Sequence, residues 1–152
     1  MNEMQLILDY TIQHFEANKL VNTVTNYVSD EIDTNHDTLY PLVNIDYTGA
    51  TINEDEVICS LSITALNQLD IYQTTTDSKL KVDTNHFDVI NETFSICQTF
   101  INSFRQYNSS GIEMLTVSAL EPINNDFVNG LSGHEFTIEL TLPNLGSSCQ
   151  TE

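Results

Sequence analysis

The chain has 152 residues, a length that favours one domain with a buried hydrophobic core. Its 22 acidic residues face four basic ones (Lys19, Lys79, Lys81 and Arg105), which gives a formal net charge of −18. A surface this acidic gains no affinity for nucleic acid from the release of phosphate counterions, so the composition argues against a module that binds DNA or RNA. The excess of acidic residues is also explained by solubility alone.

The N-terminal region predicts a short amphipathic helix over residues 4–17. The opening MNEMQLILDY contains acids and no basic region, so we expect no signal peptide, and no apolar run reaches the length of a membrane span. Residues 18–40 are interpreted as a strand-like or irregular crossing followed by a long loop. The side chains expected along the helix's apolar side are Leu6, Ile7, Tyr10, Thr11 and Phe15.

Alternating apolar and polar residues predict half-buried antiparallel strands from Leu42 onwards. LVNIDY alternates, and VICSLSITA alternates without a break. The intervening TGATINEDE is polar and contains a glycine, so it is predicted to be the connection of a hairpin. In the second strand the expected buried residues are Val57, Cys59, Leu61, Ile63 and Ala65, and those expected to face water are Ser60, Ser62 and Thr64.

A long helix is predicted from His86 to about Tyr107, because apolar residues return at steps of three and four. Asp88 and Glu92 near its start and Arg105 near its end match the helix dipole, and NSSG is expected to terminate it. The main apolar stripe contains Phe87, Ile90, Phe94, Cys97, Ile101 and Phe104. A second stripe of Val89, Ile96 and Phe100 widens the buried face.

Two more strands are predicted near the C-terminus, joined by a long loop at residues 121–133 of the kind that is often functional. The inward residues are Leu115, Val117 and Ala119 in EMLTVSAL, and Phe136, Ile138, Leu140 and Leu142 in HEFTIELTL. In the last strand Glu135, Thr137, Glu139 and Thr141 are expected to face water. The element order predicts one α+β domain over residues 1–144, an antiparallel sheet with the long helix packed on one face, and a mobile tail at residues 145–152.

The tetrapeptide DTNH occurs at Asp33–His36 and again at Asp83–His86. Flanking residues differ, which argues against an internal duplication. In the second copy Thr84 or Asn85 is suited to cap the long helix, and Asp88 completes an approximate capping box.

The first copy resembles the start of a calcium loop, because Asp33, Asn35 and Asp37 match its first three ligand positions. Thr38 stands where that loop needs glycine, and Asn44 stands where it needs glutamate. We therefore interpret both copies as polar turns.

No catalytic, cofactor-binding or metal-binding residue is predicted. The histidines His14, His36, His86 and His134 are scattered without zinc-ligand spacing, and no hydrolase, metalloprotease or phosphate-loop motif appears. Cys59, Cys97 and Cys149 lack CxxC spacing, and the first two lie in apolar patterns, which favours reduced core thiols. A metal-dependent or hydrolytic enzyme remains an alternative, and a structure in which two or more of the histidines meet acidic residues in a pocket would favour it.

Four segments, taken in order, resemble small structural proteins of tailed bacteriophages, particularly the crAss-like phages. They are VNTVTNYVSDEIDTNHDTLYPLVNI, ALNQLDIY, TNHFDVINETFSICQTFINSFRQ and LEPINNDFVNGLSGHEFTIELTLPN. The resemblance covers about Asn22 to Asn144 and consists in the order of the segments, with no catalytic motif among them. Asn44, Ile45 and His134 depart from the pattern.

The resemblance implies a neck or tail ring protein, similar to tail terminators and connectors, that is not an enzyme. It implies a homo-oligomeric ring of six or twelve subunits, with DNA passing through the lumen and no sequence-specific contact to it. The other implied partners are virion proteins such as the portal-side connector and tail proteins, with no cofactor and no membrane. The implied location is the virion, assembled in the cytoplasm of the bacterial host. The alternative is a stand-alone, non-enzymatic adaptor domain with one exposed apolar patch.

Overall fold

The computed structural model describes residues 2–26, 39–70, 84–106, 110–124 and 130–144. These residues form a mixed α+β fold with two helices and a six-stranded sheet. The predicted tail at residues 145–152 lies outside the described residues. The elements are α1 (Glu3–Ala17), β1 (Thr23–Thr25), β2 (Leu42–Ile52), β3 (Glu56–Gln68), α2 (His86–Ser103), β4 (Glu113–Val117), β5 (Glu121–Ile123) and β6 (Leu131–Pro143).

The sheet has the strand order β1-β2-β3-β6-β4, and β5 also pairs with β6. β3 and β6 run antiparallel and pair along their whole length, while β5 and β4 pair with successive parts of the other side of β6. β1 pairs with β2 in parallel, so the expectation of a wholly antiparallel sheet is wrong at this edge. A parallel pair needs a connection of a dozen or more residues, and residues 26–41 supply that length.

The hairpin between β2 and β3 is tighter than predicted. β2 continues to Ile52 and β3 begins at Glu56, so most of TGATINEDE is strand and not connection. The Asn53 N–H donates to the Glu56 carbonyl at 2.9 Å and closes the turn. Polar residues can extend β2 here because β3 supplies the backbone partners, whereas the side chains of this part of the strand are largely exposed.

One buried cluster joins both helices to β2, β3 and β6. The inward residues expected of β3 and β6 are all buried. Three aromatic rings run through the centre of this cluster. Phe100 of α2 lies 4.6 Å from Phe15 of α1 and 6.4 Å from Phe136 of β6, measured between ring centroids.

In helix α2 the second predicted stripe, which was expected only to widen the buried face, is itself fully buried. Val89, Ile96 and Phe100 are buried, whereas Phe87 and Phe94 are 65% and 42% exposed. With 3.6 residues per turn, these two phenylalanines are rotated about 120–140° from Phe100 around the helix axis. Their part of the main predicted stripe therefore lies on the flank of the helix. The corresponding error in α1 is Leu6, which is 44% exposed.

Helix α2 also ends at Ser103, before the predicted end at Tyr107. The Ser103 hydroxyl donates to the Phe100 carbonyl at 2.6 Å, and the N–H groups of Phe104 and Arg105 donate to carbonyls three residues back. These bonds replace the four-residue helical spacing and tighten the last turn. Arg105 consequently lies beyond the helix and not in its last turn.

The C-terminal strands differ from prediction in two ways. The register of β4 shifts between Met114 and Thr116, so Met114 and Val117 contact the core while Leu115 is 49% exposed. Ala119 is exposed outside the strand. Residues 121–123 form β5 and β6 begins at Leu131, so both ends of the predicted 121–133 loop are strand, and residues 125–129 lie outside the described residues.

Candidate functional site: the acidic face of the sheet

The two faces of the sheet differ in what they contact. On β3, Cys59, Leu61 and Ile63 join the cluster that contains the helices. The residues between them point the other way and are half-buried. Directly paired residues on neighbouring strands share a face, so β6 places its own polar residues beside those of β3. The pairs are Ser60 with Glu139, Ser62 with Thr137, and Thr64 with Glu135.

Strand pairing collects six carboxylates on this second face, which we call the acidic face. Glu121 is paired with Glu135, Glu113 with Thr141, and Asp46 with Ser62. The six are Asp46, Glu56, Glu113, Glu121, Glu135 and Glu139. Most of the face is therefore carboxylates alternating with hydroxyl groups, a surface suited to contact with water.

Hydroxyl groups orient two of these carboxylates. Thr116 donates to Glu139 at 3.0 Å, and Thr141 donates to Glu56 at 3.1 Å. Thr141 was expected to face water but is buried. Glu121 stands opposite Glu135, and like charges in that position repel. The hydrogen bonds from threonine hydroxyls hold these carboxylates in position but leave their negative charge in place.

No basic side chain within the described ranges lies on the sheet. Lys19 follows α1 and Arg105 follows α2, and these are the only lysine and arginine that the structure describes. The acidic face therefore carries uncompensated negative charge across the described strands. At physiological ionic strength its field acts over about 8 Å from the surface.

An apolar cluster closes one end of the acidic face. Leu66, Ile123 and Leu131 are buried together, with the ring of Tyr40 packed against them. Along β6 the carboxylates Glu135 and Glu139 follow this cluster towards the end of the strand.

Two of the histidines lie at separate places, His14 partly buried and His134 buried. His14 of α1 packs edge-on against Phe15 and Phe100 at 5.4 and 5.2 Å between ring centroids, and its Nε2 has no hydrogen-bond partner. His134 of β6 is hydrogen-bonded through Nδ1 to the Thr93 hydroxyl at 2.9 Å. Burial lowers the pKa of both imidazoles, which favours the neutral form.

The tautomer of His134 follows from its partner. Thr93 has one hydroxyl proton and directs it to helix carbonyls, the nearer being that of Val89 at 2.9 Å. The Thr93 oxygen is then the acceptor, so Nδ1 of His134 carries the proton. This histidine ties β6 to α2, which is a structural task.

The described histidines do not meet in a metal-binding group. His86 is the first residue of α2, and His36 lies outside the described residues. Over the described part of the chain, no group of three or more His, Cys, Asp or Glu side chains is placed to hold a metal ion. The carboxylates of the acidic face are thus spread along strands and do not form a metal centre.

Thr84, Asn85 and His86 of the second DTNH copy lie at the start of α2, as expected, but the cap is not the predicted one. Asn85 holds the N-cap position without a side-chain bond to the helix. Its Oδ1 instead accepts from the Asp70 N–H at 2.7 Å, and its own N–H donates to the Asp70 carbonyl at 3.1 Å. Thr84 accepts weakly from the His86 N–H at 3.3 Å. Asn85 therefore fastens the start of α2 to the chain that leaves β3.

The first DTNH copy lies outside the described residues. Asn44, which would have been the last ligand of a calcium loop, is in β2 and accepts from the Thr25 hydroxyl at 2.7 Å. Its side chain is therefore engaged in joining β1 to β2.

The cysteines within the described residues are buried free thiols, as expected. Burial raises the pKa of Cys59, and it raises that of Cys97 to about 12. A thiol held protonated is a poor nucleophile and a poor metal ligand. Cys149 lies outside the described residues.

No protein-family model and no curated protein matches this chain. Among the helices in the described ranges, none combines the length and apolar character needed to cross a bilayer. The sequence alternation had already placed Glu135 and Glu139 together on one side of the last strand. It could not add Glu56, Glu113 and Glu121, because only the pairing of distant strands brings them to that face.

Proposed function

We propose that this chain is a non-catalytic structural subunit of a ring in the neck or tail of a tailed bacteriophage. In this proposal the acidic face lines the passage through which DNA moves. The acidic face is the observation that carries the proposal. The order of elements, which resembles that of tail terminators and connectors, supports it, with α2 taken as the long helix that covers the opposite face of the sheet.

Electrostatics explains why such a face suits a conduit. A carboxylate and a phosphate 10 Å apart in water repel by about 0.4 kcal/mol before screening, and the ring repeats every carboxylate in each subunit. Because the described strands carry no cation, DNA gains no counterion-release affinity for this wall. A moving polyanion is then neither held nor slowed by the surface that surrounds it.

The chemistry of the acidic face also argues against its burial in a protein interface. Ser60, Ser62 and Thr64 form its centre together with Glu135 and Glu139, and burying unpaired carboxylates is costly. A water-filled lumen leaves them hydrated. The proposed partners are further copies of the chain, in a ring of six or twelve, and other virion proteins at its two ends. The proposed location is the virion, assembled in the bacterial cytoplasm, and no cofactor is required.

Spin-label distances test the orientation of the sheet in the assembly. Thr137 is exposed in the middle of the acidic face, and Gln98 is exposed on α2. In a Cys149→Ser background, nitroxide labels are placed on Thr137→Cys or, as the matched control, on Gln98→Cys. We expect shorter distances between subunits from position 137 than from position 98. Longer distances from position 137 would place the acidic face outside the ring and refute the proposal.

A second candidate is the stand-alone adaptor, which the exposure of Phe87 and Phe94 favours. An adaptor would use this apolar patch to bind a different protein and would stay monomeric or dimeric by itself. The mass of the purified chain at high concentration separates the two candidates.

A further inference from the structure

A groove of about 500 Å³ lies between α1 and the β1–β2 end of the sheet. Leu8 and Ile12 of α1 form one wall, and Val24, Ile45 and Tyr47 form the other. The exposed acids Glu16 and Asp46 also line the groove. It is therefore apolar inside and negative at its margin.

An apolar ridge lies elsewhere on the surface. Phe87 and Phe94, which are 65% and 42% exposed, are two helical turns apart, about 10 Å along α2. Phe94 stands over β6, with its ring 6.0 Å from that of His134. Arg105, also exposed, follows the end of the same helix.

The groove and the ridge lie on opposite sides of the helix layer. Helix α1 runs along one flank of α2, where Phe15 contacts Phe100 and the Tyr10 hydroxyl donates to Ser103 at 3.1 Å. Phe94 lies on the other flank of α2. The groove is formed by the side of α1 that is turned towards β1 and β2. A translation and rotation of one copy can therefore bring its ridge to the groove of another.

We propose that the Phe87–Phe94 ridge of one subunit inserts into the α1–β2 groove of the next, so that successive copies pack head to tail. This inference rests on the ring function proposed above. A contact between two different surfaces is heterologous, and repeated rotation closes such contacts into a ring. The contact leaves the acidic face uncovered except at Asp46, which also lines the groove.

Charge complementarity identifies the occupant of the groove as a second copy. The chain is strongly negative, so most surfaces of two copies repel each other. Arg105 follows the end of the helix that carries the ridge, and Glu16 and Asp46 line the groove. This pairing is therefore one of the few that places a described cation against acids.

The spacing along the two helices is compatible with that pairing. Leu8 and Glu16 are about 12 Å apart along α1, and Phe94 is about 14 Å from the end of α2 at Ser103, with Arg105 two residues beyond that end. When α2 of one copy lies parallel to α1 of the next, with Phe94 level with Leu8, the two spacings differ by no more than the length of an arginine side chain. Arg105 can then contact Glu16.

Single substitutions, followed by sedimentation velocity over a wide concentration range, test the contact. We expect Phe94→Ser and Ile12→Ser each to raise the half-assembly concentration about 30-fold, as for a central apolar anchor. Arg105→Glu should raise it about tenfold, and adding Glu16→Arg should restore assembly to the wild-type range. Ile52→Ser is the control, because Ile52 is 76% exposed but belongs to neither surface. Thermal melting of each variant checks that it is folded.

A mixing experiment tests the head-to-tail geometry. Phe94→Ser chains keep an intact groove and Ile12→Ser chains keep an intact ridge, so an equal mixture should form a one-to-one dimer and no ring. Wild-type assembly combined with unaffected assembly of the folded variants would overturn this contact while leaving the ring proposal standing. A wild-type chain that stays monomeric throughout would overturn both.

Discussion

Replacing Phe100 with alanine should destabilise the fold more than a substitution of the same kind elsewhere on α2. Phe100 is fully buried and lies within 4.6 to 6.4 Å of the rings of Phe15, Phe104 and Phe136, between centroids. Truncating a core phenylalanine costs about 3–5 kcal/mol, and aromatic pairs add about 0.5–1.5 kcal/mol each. We therefore expect a loss at the upper end, about 4–5 kcal/mol.

Urea denaturation followed by circular dichroism measures this loss, at concentrations low enough to keep the chain monomeric. In a chain of this size the same change lowers Tm by about 8–20 °C. Phe87→Ala is the matched control, because Phe87 is on the same helix but 65% exposed, and it should change the unfolding free energy by less than about 0.5 kcal/mol. Equal losses from the two variants would show that α2 does not bury the face described above.

Three further predictions concern packing, pH and thiol reactivity. Gly133→Ala should disrupt pairing of β3 with β6, measured as loss of the cooperative melt, since a Cβ there would lie 1.8 Å from the Ala65 carbonyl oxygen; a normal melt would contradict the close approach. Because burial lowers the pKa of His14 and His134 from 6.5 in the folded chain, the unfolded chain binds more protons as pH falls. The stability that depends on their neutral forms should be complete above pH 6.5 and lost progressively below it. Replacing both histidines with glutamine should make the urea midpoint depend less on pH between pH 7 and 5, and an unchanged dependence would contradict this. Cys97, with its pKa raised to about 12, should resist iodoacetamide in the native chain and react in urea, as peptide mass spectrometry will show; rapid native labelling would contradict its burial.

The sequence predicted best where one pattern had one interpretation. In β3, alternation without a break identified every inward residue from Val57 to Ala65, because a strand has only two faces. On α2 both predicted stripes contribute to the buried face, since Cys97 and Ile101 of the main stripe are buried together with Val89, Ile96 and Phe100. Periodicity alone could not show that the packing of Phe100 against Phe15 and Phe136 leaves Phe94 on the flank.

The remaining differences depend on contacts between distant parts of the chain. The strand-like crossing expected within residues 18–40 contains β1, but its parallel pairing with β2 is not visible in a local pattern. The shift of register that exposes Leu115 follows from pairing with β6. Glu56 and Glu113 likewise reach the acidic face only through their strand partners, so the sequence showed the excess of acid without showing where it collects.

Native mass spectrometry of the purified chain at high concentration, with and without a chelator, tests the central proposal most directly. The ring proposal predicts a closed species of six or twelve subunits whose mass and abundance do not change when the chelator is added. A chain that stays monomeric or dimeric over the whole concentration range, or an assembly that dissociates when metal is removed, would contradict it.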